Sequence, residues 1–410
     1  MKRFLSCVLP LLLSFGLIFN CTGCSTVLVL AGKARENSEA SSSVISESSA
    51  SSGVISTPVL AEDGDLRAFY TDVANAESVT VMVYMIGSDL ESEDGSATDD
   101  LLEMADAALS ENIHLVLQTG GTETWWNDVC TDDESERFVI ENGDMTLLQN
   151  LGSVNMTDAD TLSDFIRFSA ESYPADRYEL ILWDHGGGTM TGFGYDELYE
   201  DTSLTLSSLS TALYNGGVQF DFIGFDACLM ATAEVAYALD PYADYLIASE
   251  ESEPGEGWAY KNWLTMLAEN PAVPTAELGK KLADDFLEAY IFADMPTLSV
   301  LDLRYVPELY AALESYWGSA YTALQSGSYG AFSQVRSNVR EFGDNEYDQV
   351  DLSDLATLTK QSLSLGTEDD VQAAVQNMVV YNVTYEKSAA GIAVYFPCLW
   401  PDYYGIHALK

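Results

Sequence analysis

Basic residues are scarce in this sequence. Its 410 residues include 17 Lys and Arg against 65 Asp and Glu, which gives a formal net charge of −48 at pH 7. So few cations exclude nucleic-acid binding through a basic patch, because such binding depends on neutralising phosphates. An anionic membrane surface would also repel the chain, whereas cationic partners would be drawn towards it. We interpret most of this charge as the solvated surface of an exported protein.

Histidine is rarer still, with three residues in the whole sequence. His114 lies inside a predicted strand and His407 in the C-terminal tail, so we interpret both as structural. His185 follows a predicted strand and precedes three glycines. The sequence contains no closely spaced His, Cys and Asp ligands of the kind that hold zinc, so no metal site of this type is predicted. It also lacks the Gly-x-Ser-x-Gly motif of many serine hydrolases.

Cysteine is limited to six residues, and three of them (Cys7, Cys21 and Cys24) lie in the N-terminal segment. The remaining three form an odd set, so at least one thiol is free or pairs with another molecule. Cys130 and Cys398 could pair with each other or remain buried thiols. A free thiol in an exported protein calls for a functional explanation. Of the three cysteines, Cys228 is the one that lies in a motif suggesting function.

The N-terminal segment predicts export. Lys2-Arg3 precedes an apolar run over residues 4–19 that is too short for a convincing membrane span, so we expect a signal peptide over residues 1–23. The following Cys24 resembles the lipidated residue of bacterial lipoproteins, with ordinary secretion as the alternative. Residues 24–65 are rich in Ser, Ala and Glu, a composition that predicts a flexible tether. Residues 66–410 are predicted to form a single folded domain. We therefore expect an extracytoplasmic protein whose only membrane contact is a lipid anchor.

Predicted strands and helices alternate through the folded part. Apolar runs predict strands at residues 79–86, 113–118, 178–183, 220–225, 245–249, 297–302 and 391–396. A hairpin with Asn142-Gly143 at its turn is predicted over residues 137–148, and the region 306–378 is predicted to be mostly helical. This alternation predicts an α/β sandwich.

Two of the predicted strands end on residues with catalytic chemistry. Residues 178–183 lead into Asp184-His185-Gly186, and residues 220–225 lead into Asp226-Ala227-Cys228. In parallel α/β sheets, reactive groups collect at the carboxyl ends of the strands. A His and a Cys brought to that edge can form a thiol–imidazole pair, the minimal machinery of a cysteine hydrolase.

The surroundings of Cys228 predict an activated thiol. A helix is predicted from about residue 228 to residue 239, and the N–H groups at its start would lower the pKa of the thiol. Asp226 would oppose this effect if it faced the sulfur, so we expect its carboxylate to point into a neighbouring pocket.

These motifs, taken together in order, resemble the clostripain family of cysteine peptidases. The resemblance rests on the two strand-end motifs and on residues 248–258 with their Ser-Glu-Glu and Pro-Gly-Glu-Gly-Trp elements. It also rests on the strand at residues 79–86 with the Gly-Ser-Asp-Leu-Glu that follows it, and on the strand at residues 391–396 with the Pro that follows it. It covers residues 79–397. It implies a caspase-like α/β/α sandwich with a mostly parallel central sheet and helical additions in the C-terminal half.

The resemblance also implies a catalytic dyad. His185 matches the general base and acid of the family and Cys228 its nucleophile, with the backbone N–H groups of Gly186 and Cys228 expected to form the oxyanion hole. The implied reaction is acyl transfer through a thioester, and no third catalytic residue is required.

The resemblance implies cleavage after Arg or Lys, which requires a carboxylate in the specificity pocket. Asp226 and Glu256 match the acidic pocket positions of the family. Relatives often cut themselves at basic residues between the His and Cys motifs, but this sequence has no Lys or Arg between Arg177 and Lys261. We therefore predict a chain that stays uncut there or is trimmed near the tether. A specificity that is not basic is the alternative.

Some relatives depend on calcium, so a calcium site is possible. The acidic residues 89–94 and the pair Asp99-Asp100 could supply oxygen ligands, although the spacing of an EF-hand is absent and a solvated loop is the simpler interpretation. No other cofactor is expected. The sequence thus predicts a monomeric, surface-anchored cysteine endopeptidase acting on proteins or peptides. The alternatives are a non-catalytic lipoprotein on the same fold that binds peptides or cations, and a solute-binding lipoprotein for transport.

Overall fold

The computed structural model describes residues 71, 73–199, 202–290, 296–343, 346–385 and 388–398. The predicted signal peptide, the lipidation site Cys24, the tether and His407 lie outside these residues. Within the part of the chain that is described, no helix is both long and apolar enough to cross a membrane.

A sheet of nine strands forms the centre of the fold. Its spatial order is β11-β8-β7-β6-β5-β1-β2-β3-β4, and the five strands from β7 to β2 run parallel while both edges are antiparallel. A second sheet of three short strands has the order β12-β10-β9. The strands are β1 Val79–Ile86, β2 Ile113–Gly120, β3 Ser135–Glu141, β4 Asp144–Gly152, β5 Arg177–Trp183, β6 Phe220–Asp226, β7 Ala243–Ala248, β8 Thr297–Asp302, β9 Glu341–Phe342, β10 Gln349–Asp351, β11 Val379–Thr384 and β12 Ala393–Tyr395.

Helices cover both faces of the large sheet. Among the described residues they are α1 Ser88–Ser92, α2 Ser96–Ala105, α3 Ala159–Ser172, α4 Gly188–Thr191, α5 Leu206–Gly216, α6 Ala233–Leu239, α7 Tyr260–Glu269, α8 Thr275–Ala289, α9 Val306–Gln325, α10 Tyr329–Asn338, α11 Leu352–Ser362 and α12 Glu368–Met378. The predicted α/β/α sandwich with a mainly parallel sheet and a helix-rich C-terminal half is therefore confirmed.

The central strands are apolar on both sides because both sides are covered. All eight residues of β1 are buried. Met82 and Tyr84 pack into a core with α3, α5 and several C-terminal helices, whereas Val81 and Val83 pack into a second core with α2, α7 and α8. The sheet thus lies between two hydrophobic layers.

Two local predictions had different outcomes. The hairpin is confirmed as β3 and β4, and Asn142 and Gly143 both have positive φ, as a type I′ turn requires. The helix predicted over about residues 228–239 is present as α6 and ends at Leu239, but its predicted start is wrong, because α6 begins only at Ala233. Leu229 has a φ of +67°, a left-handed conformation that cannot continue a right-handed helix.

The strand order places a crevice beside β1. The chain passes from β1 to β2 on one side, and β5 lies on the other side of β1. In parallel α/β sheets, ligands bind outside the carboxyl ends of the strands at such a reversal of strand order. The residues that follow β1, β5 and β6 therefore surround the expected position of a ligand.

Candidate active site

The ends of β5 and β6 are in register. Trp183 pairs with Asp226 at the last position of this parallel ladder, and the N–H of Asp184 donates to the carbonyl oxygen of Asp226 at 3.2 Å. His185 and Cys228 each follow two residues after that pair. The two loops also touch, because a Cβ placed on Gly186 would overlap the carbonyl oxygen of Cys228. The structure therefore brings the predicted His and Cys to the same edge of the sheet.

His185 is anchored through both its backbone and its ring. Its carbonyl oxygen accepts a hydrogen bond from the N–H of Gly194 at 2.9 Å. The Nε2 atom lies 2.6 Å from Oδ1 of Asp89, and the ring of Tyr195 lies 6.4 Å away between centroids. Because the imidazole is 42% exposed, a substrate can still reach it.

Asp184, the residue before His185, stabilises the loop over residues 184–195. Asp184 is buried, and its carboxylate accepts a hydrogen bond from the N–H of Tyr195. Burial raises the pKa of Asp184 to about 7, although the nearby charge of His185 and the N–H of Tyr195 oppose the increase. Asp184 therefore ties the two ends of the loop over residues 184–195 together.

The Cys228 thiol is partly buried beneath the loop formed by residues 250–258. The N–H of Glu253 donates to its Sγ atom at 3.2 Å. Burial raises the pKa of Cys228 to about 11, and the charges of Glu253 and Glu251 act in the same direction. The expected lowering of this pKa by a helix N-terminus is wrong, because α6 begins five residues after the thiol.

The backbone around the thiol leaves two donors available. In the described part of the chain, neither the N–H of Gly186 nor that of Cys228 donates a hydrogen bond to another group. The glycine run is also required sterically, because a Cβ on Gly188, whose φ is +53°, would lie 2.6 Å from the carbonyl oxygen of Leu229. Both N–H groups are therefore available to an incoming acceptor.

Asp226 lies buried beneath the same loop. Its Oδ2 atom accepts hydrogen bonds from the Trp258 N–H at 3.0 Å and from the Tyr260 hydroxyl at 2.7 Å. Burial raises the pKa of this carboxyl to about 6, against the lowering effect of these donors and of Glu253.

Two further carboxyl groups join Asp226, and we call the set of Asp100, Asp226 and Glu253 the carboxyl cluster. Burial, followed by repulsion from Asp226, raises the pKa values of Asp100 and Glu253 well above their usual range. A Cβ on Gly257 would lie 2.8 Å from Asp100 and 2.9 Å from Asp226, so these two carboxyl groups lie against this glycine. Among the described residues, no ion pair reaches any of the three carboxyl groups.

The sequence predicts only part of this cluster. Of the two predicted pocket residues, Asp226 belongs to the cluster, whereas Glu256 lies on the exposed part of the loop. Asp100 was considered only as a calcium ligand, whereas its Oδ2 accepts a hydrogen bond from the Trp183 indole at 2.6 Å. Glu253 lay inside a recognised motif, but nothing in the sequence indicated that its side chain turns inward.

The acidic residues considered for calcium are separated in the structure. Asp89 contacts His185 and Asp100 contacts Trp183. In the described ranges there is no group of three or more His, Cys, Asp or Glu residues that could hold a metal ion.

Comparison with known proteins gives one family match and several structural relatives. The sequence model of the clostripain family matches residues 83–397. Clostripain of Hathewaya histolytica is 29% identical over 217 residues, which is 45% of this chain and 41% of that protein. The alignment thus spans less than half of the curated relative.

Two solved structures share the fold. A secreted C11 cysteine protease from Bacteroides thetaiotaomicron, in complex with an irreversible peptide inhibitor, superposes with a TM-score of 0.61 at 18% identity and covers 81% of this chain and 99% of its own. An inactive zymogen of a C11 protease from Parabacteroides distasonis gives 0.61 at 22% identity, with coverages of 80% and 94%.

Proposed function

This chain belongs to the clostripain family, and from this premise we propose that it is a cysteine endopeptidase that cleaves peptide bonds after Arg or Lys. The observation that carries the proposal is the shared register of His185 and Cys228 at the carboxyl edge of β5 and β6. It supplies a base and a nucleophile at one place, which is the minimal requirement for acyl transfer through a thioester.

In the proposed reaction, His185 removes the proton from Sγ of Cys228, and the thiolate attacks the substrate carbonyl carbon. The N–H groups of Gly186 and Cys228 donate to the resulting oxyanion. The imidazolium then returns its proton to the departing amine, which leaves a thioester on Cys228. Water, deprotonated by His185, hydrolyses the thioester and releases the new carboxyl terminus.

The thiol requires this base, because it is neutral in the resting structure. Its pKa is raised to about 11, so at neutral pH the sulfur holds its proton. The N–H of Glu253 occupies one side of the sulfur. We infer that residues 250–258 shift when a peptide enters, and that the proton moves to His185 in the enzyme–substrate complex.

The preference for a basic residue rests on the carboxyl cluster. Burying several carboxyl groups without a cation is unfavourable, and their raised pKa values reflect that cost. A guanidinium or ammonium group placed among them would favour their ionised forms and be held by charge-assisted hydrogen bonds. Arg suits such a site best because its planar group can bind a carboxylate with two parallel hydrogen bonds.

We further propose that the protein is exported and held at the membrane through lipidated Cys24, with residues 24–65 as a spacer. The supports are the N-terminal sequence and the strong negative charge. We also propose that it acts as a monomer. If its specificity is basic, the chain stays uncut between Arg177 and Lys261, because that interval has no Lys or Arg.

The test is hydrolysis of fluorogenic peptides that end in Arg, Lys, Asp or Leu, with and without calcium, beside a Cys228→Ala control. We expect release after Arg and Lys that disappears in the control. Release after Leu or Asp alone would overturn the basic specificity. A complete lack of release, together with tight binding of peptides, would replace the peptidase with a non-catalytic binding protein.

A further inference from the structure

The pair formed by Asp89 and His185 joins residues that lie 96 positions apart in the sequence. Oδ1 of Asp89 lies 2.6 Å from Nε2 of His185, within the range of a charge-assisted hydrogen bond. Asp89 follows β1 and His185 follows β5, so the contact spans the crevice where the strand order reverses. The dyad implied by the sequence has no role for this carboxylate.

The backbone before Asp89 is fixed by the sheet. The N–H of Gly87 donates to the carbonyl of Gly120 at 2.8 Å, and that of Ser88 donates to Gly121 at 3.1 Å, which extends the pairing of β1 with β2. Ser88 is buried with a φ of +48°, and this left-handed residue turns the chain from the strand into α1. Asp89 therefore lies just after a buried strand, where hydrogen bonds to the neighbouring strand hold the backbone in place.

The carboxylate of Asp184, which is adjacent to His185 in the sequence, makes a different contact. Oδ2 of Asp184 accepts the backbone N–H of Tyr195, and Asp184 is buried below the loop. Asp89 is 44% exposed on its side chain and His185 is 42% exposed, so the pair lies at the rim where a peptide would arrive. The contact to the ring thus comes from Asp89.

We propose that Asp89 is a positioning residue for His185: it accepts the Nε2–H and thereby leaves Nδ1 as the nitrogen that takes the proton from Cys228. The second half of this statement rests on the proposed peptidase function, whereas the first half concerns the resting protein alone.

The chemistry of imidazole supports this assignment. A neutral imidazole carries one N–H, and an ionised carboxylate can only accept a hydrogen bond. Asp89 therefore selects the tautomer with hydrogen on Nε2 and keeps the lone pair of Nδ1 free. When the proton leaves Sγ for Nδ1, one S–H bond breaks and one N–H bond forms. The resulting imidazolium then faces a carboxylate, whose charge favours the transfer.

The tautomer can be measured without any substrate. The protein contains three histidines, so labelling them with ¹⁵N gives a simple spectrum, and His185→Gln identifies the signals of interest. We expect His185, in its neutral form, to carry hydrogen on Nε2 in both the unmodified protein and Cys228→Ala. In Asp89→Asn we expect a mixture of tautomers, because the amide can donate to Nε2 as readily as it accepts.

Kinetics provide the second measurement. Asp89→Asn and Asp89→Ala should lower kcat about 10- to 1,000-fold with KM within about threefold, since wrong-tautomer effects on a catalytic histidine are of this order or larger. Asp89→Glu should recover part of the loss. The matched control is Asp128→Asn, which removes the same charge from an exposed position and should leave kcat within about twofold.

The outcomes separate the two proposals. Hydrogen on Nδ1 in the unmodified protein, or a tautomer ratio that Asp89→Asn leaves unchanged, would overturn the role of Asp89 whether or not any peptide is cleaved. Full kcat in Asp89→Asn would also overturn it. The expected tautomer in a protein that cleaves no peptide would instead remove the proposed peptidase function and leave the positioning of the ring intact.

Discussion

Trp183 and Asp226 face each other at the last paired position of two neighbouring parallel strands, and both take part in the hydrogen bonds of the carboxyl cluster. Trp183 donates its indole N–H to Asp100, and Asp226 is itself a member of the cluster. The same ladder carries His185 and Cys228 two residues further on. One set of backbone hydrogen bonds therefore aligns Asp226, which is proposed for specificity, with the two residues proposed for chemistry.

Removing the proposed nucleophile should abolish hydrolysis. We expect Cys228→Ala to show no release above background and Cys228→Ser to lose at least about 1,000-fold in kcat, because a hydroxyl is a much weaker nucleophile than a thiol at this site. The measurement is turnover of an Arg-ending fluorogenic peptide. Cys130→Ala is the control and should retain activity within about threefold, since the Cys130 thiol is buried with a pKa raised to about 12. Substantial activity in Cys228→Ala would contradict the assignment.

Replacing Asp226 should alter the choice of substrate. Asp226→Asn keeps the size of the side chain but removes the charge, so kcat/KM for peptides ending in Arg or Lys should fall about 100- to 1,000-fold, the range expected when one partner of a buried charge pair is lost. Peptides ending in Leu should be affected much less. Glu269→Gln is the control, because it removes one charge from an exposed position at the end of α7, and it should change either value less than about threefold. An unchanged Arg-to-Leu ratio in Asp226→Asn would refute the role of this residue.

Binding of a cation should strengthen with pH. The pKa of Asp226 in the folded protein is raised to about 6, so below that value the carboxyl is neutral and attracts a cation only weakly. As pH rises through about 6 the group ionises, and Asp100 and Glu253 extend the increase to higher pH because their pKa values are raised further. Calorimetric titration of agmatine into Cys228→Ala should show affinity rising from pH 5 to pH 8, with protons released on binding. An affinity that does not vary with pH would exclude linkage to the cluster.

A methyl group at Gly186 should separate the two catalytic loops. In Gly186→Ala the new Cβ would overlap the carbonyl oxygen of Cys228, and this backbone atom can move away only by displacing the nucleophile. We expect a folded protein with kcat reduced at least about 100-fold, because misplacements near 1 Å have effects of this size. Gly318→Ala is the control. Gly318 lies in α9 with open space around its Cβ position, so this change should leave activity intact and slightly raise the melting temperature.

The active protein should remain one chain between the His and Cys motifs. A peptidase of basic specificity finds no Lys or Arg between Arg177 and Lys261. Intact-mass measurement of fully active protein should therefore show no cut in that interval. A cut there, made by the protein itself and abolished in Cys228→Ala, would show that cleavage is not restricted to basic residues.

The fold and the meeting of His185 and Cys228 at one sheet edge were predictable from the sequence because both depend on local signals. Buried strands of the parallel type are short apolar runs, and the residues that follow them must meet at one edge of the sheet. The start of α6 was misjudged because the left-handed conformation of Leu229 reflects its tertiary surroundings, which a sequence pattern does not report.

The polar partners were harder to predict. The contacts of Asp89 with His185 and of Asp100 with Trp183 join residues 96 and 83 positions apart. In a chain with 65 acidic residues, the composition gives no reason to select these two. Only the strand order, with β1 between β2 and β5, brings these acidic residues to the site.

The central position of β5 and β6 has a consequence for amide hydrogen exchange. Both strands are almost fully buried and lie inside the nine-stranded sheet, so their N–H groups should exchange only when the whole domain opens. Residues 252–256, by contrast, are exposed or half-buried, so we expect this part of the loop to open at lower free energy. Local opening of the loop should therefore expose the Cys228 thiol far more often than global unfolding disrupts the two strands that align His185 with Cys228.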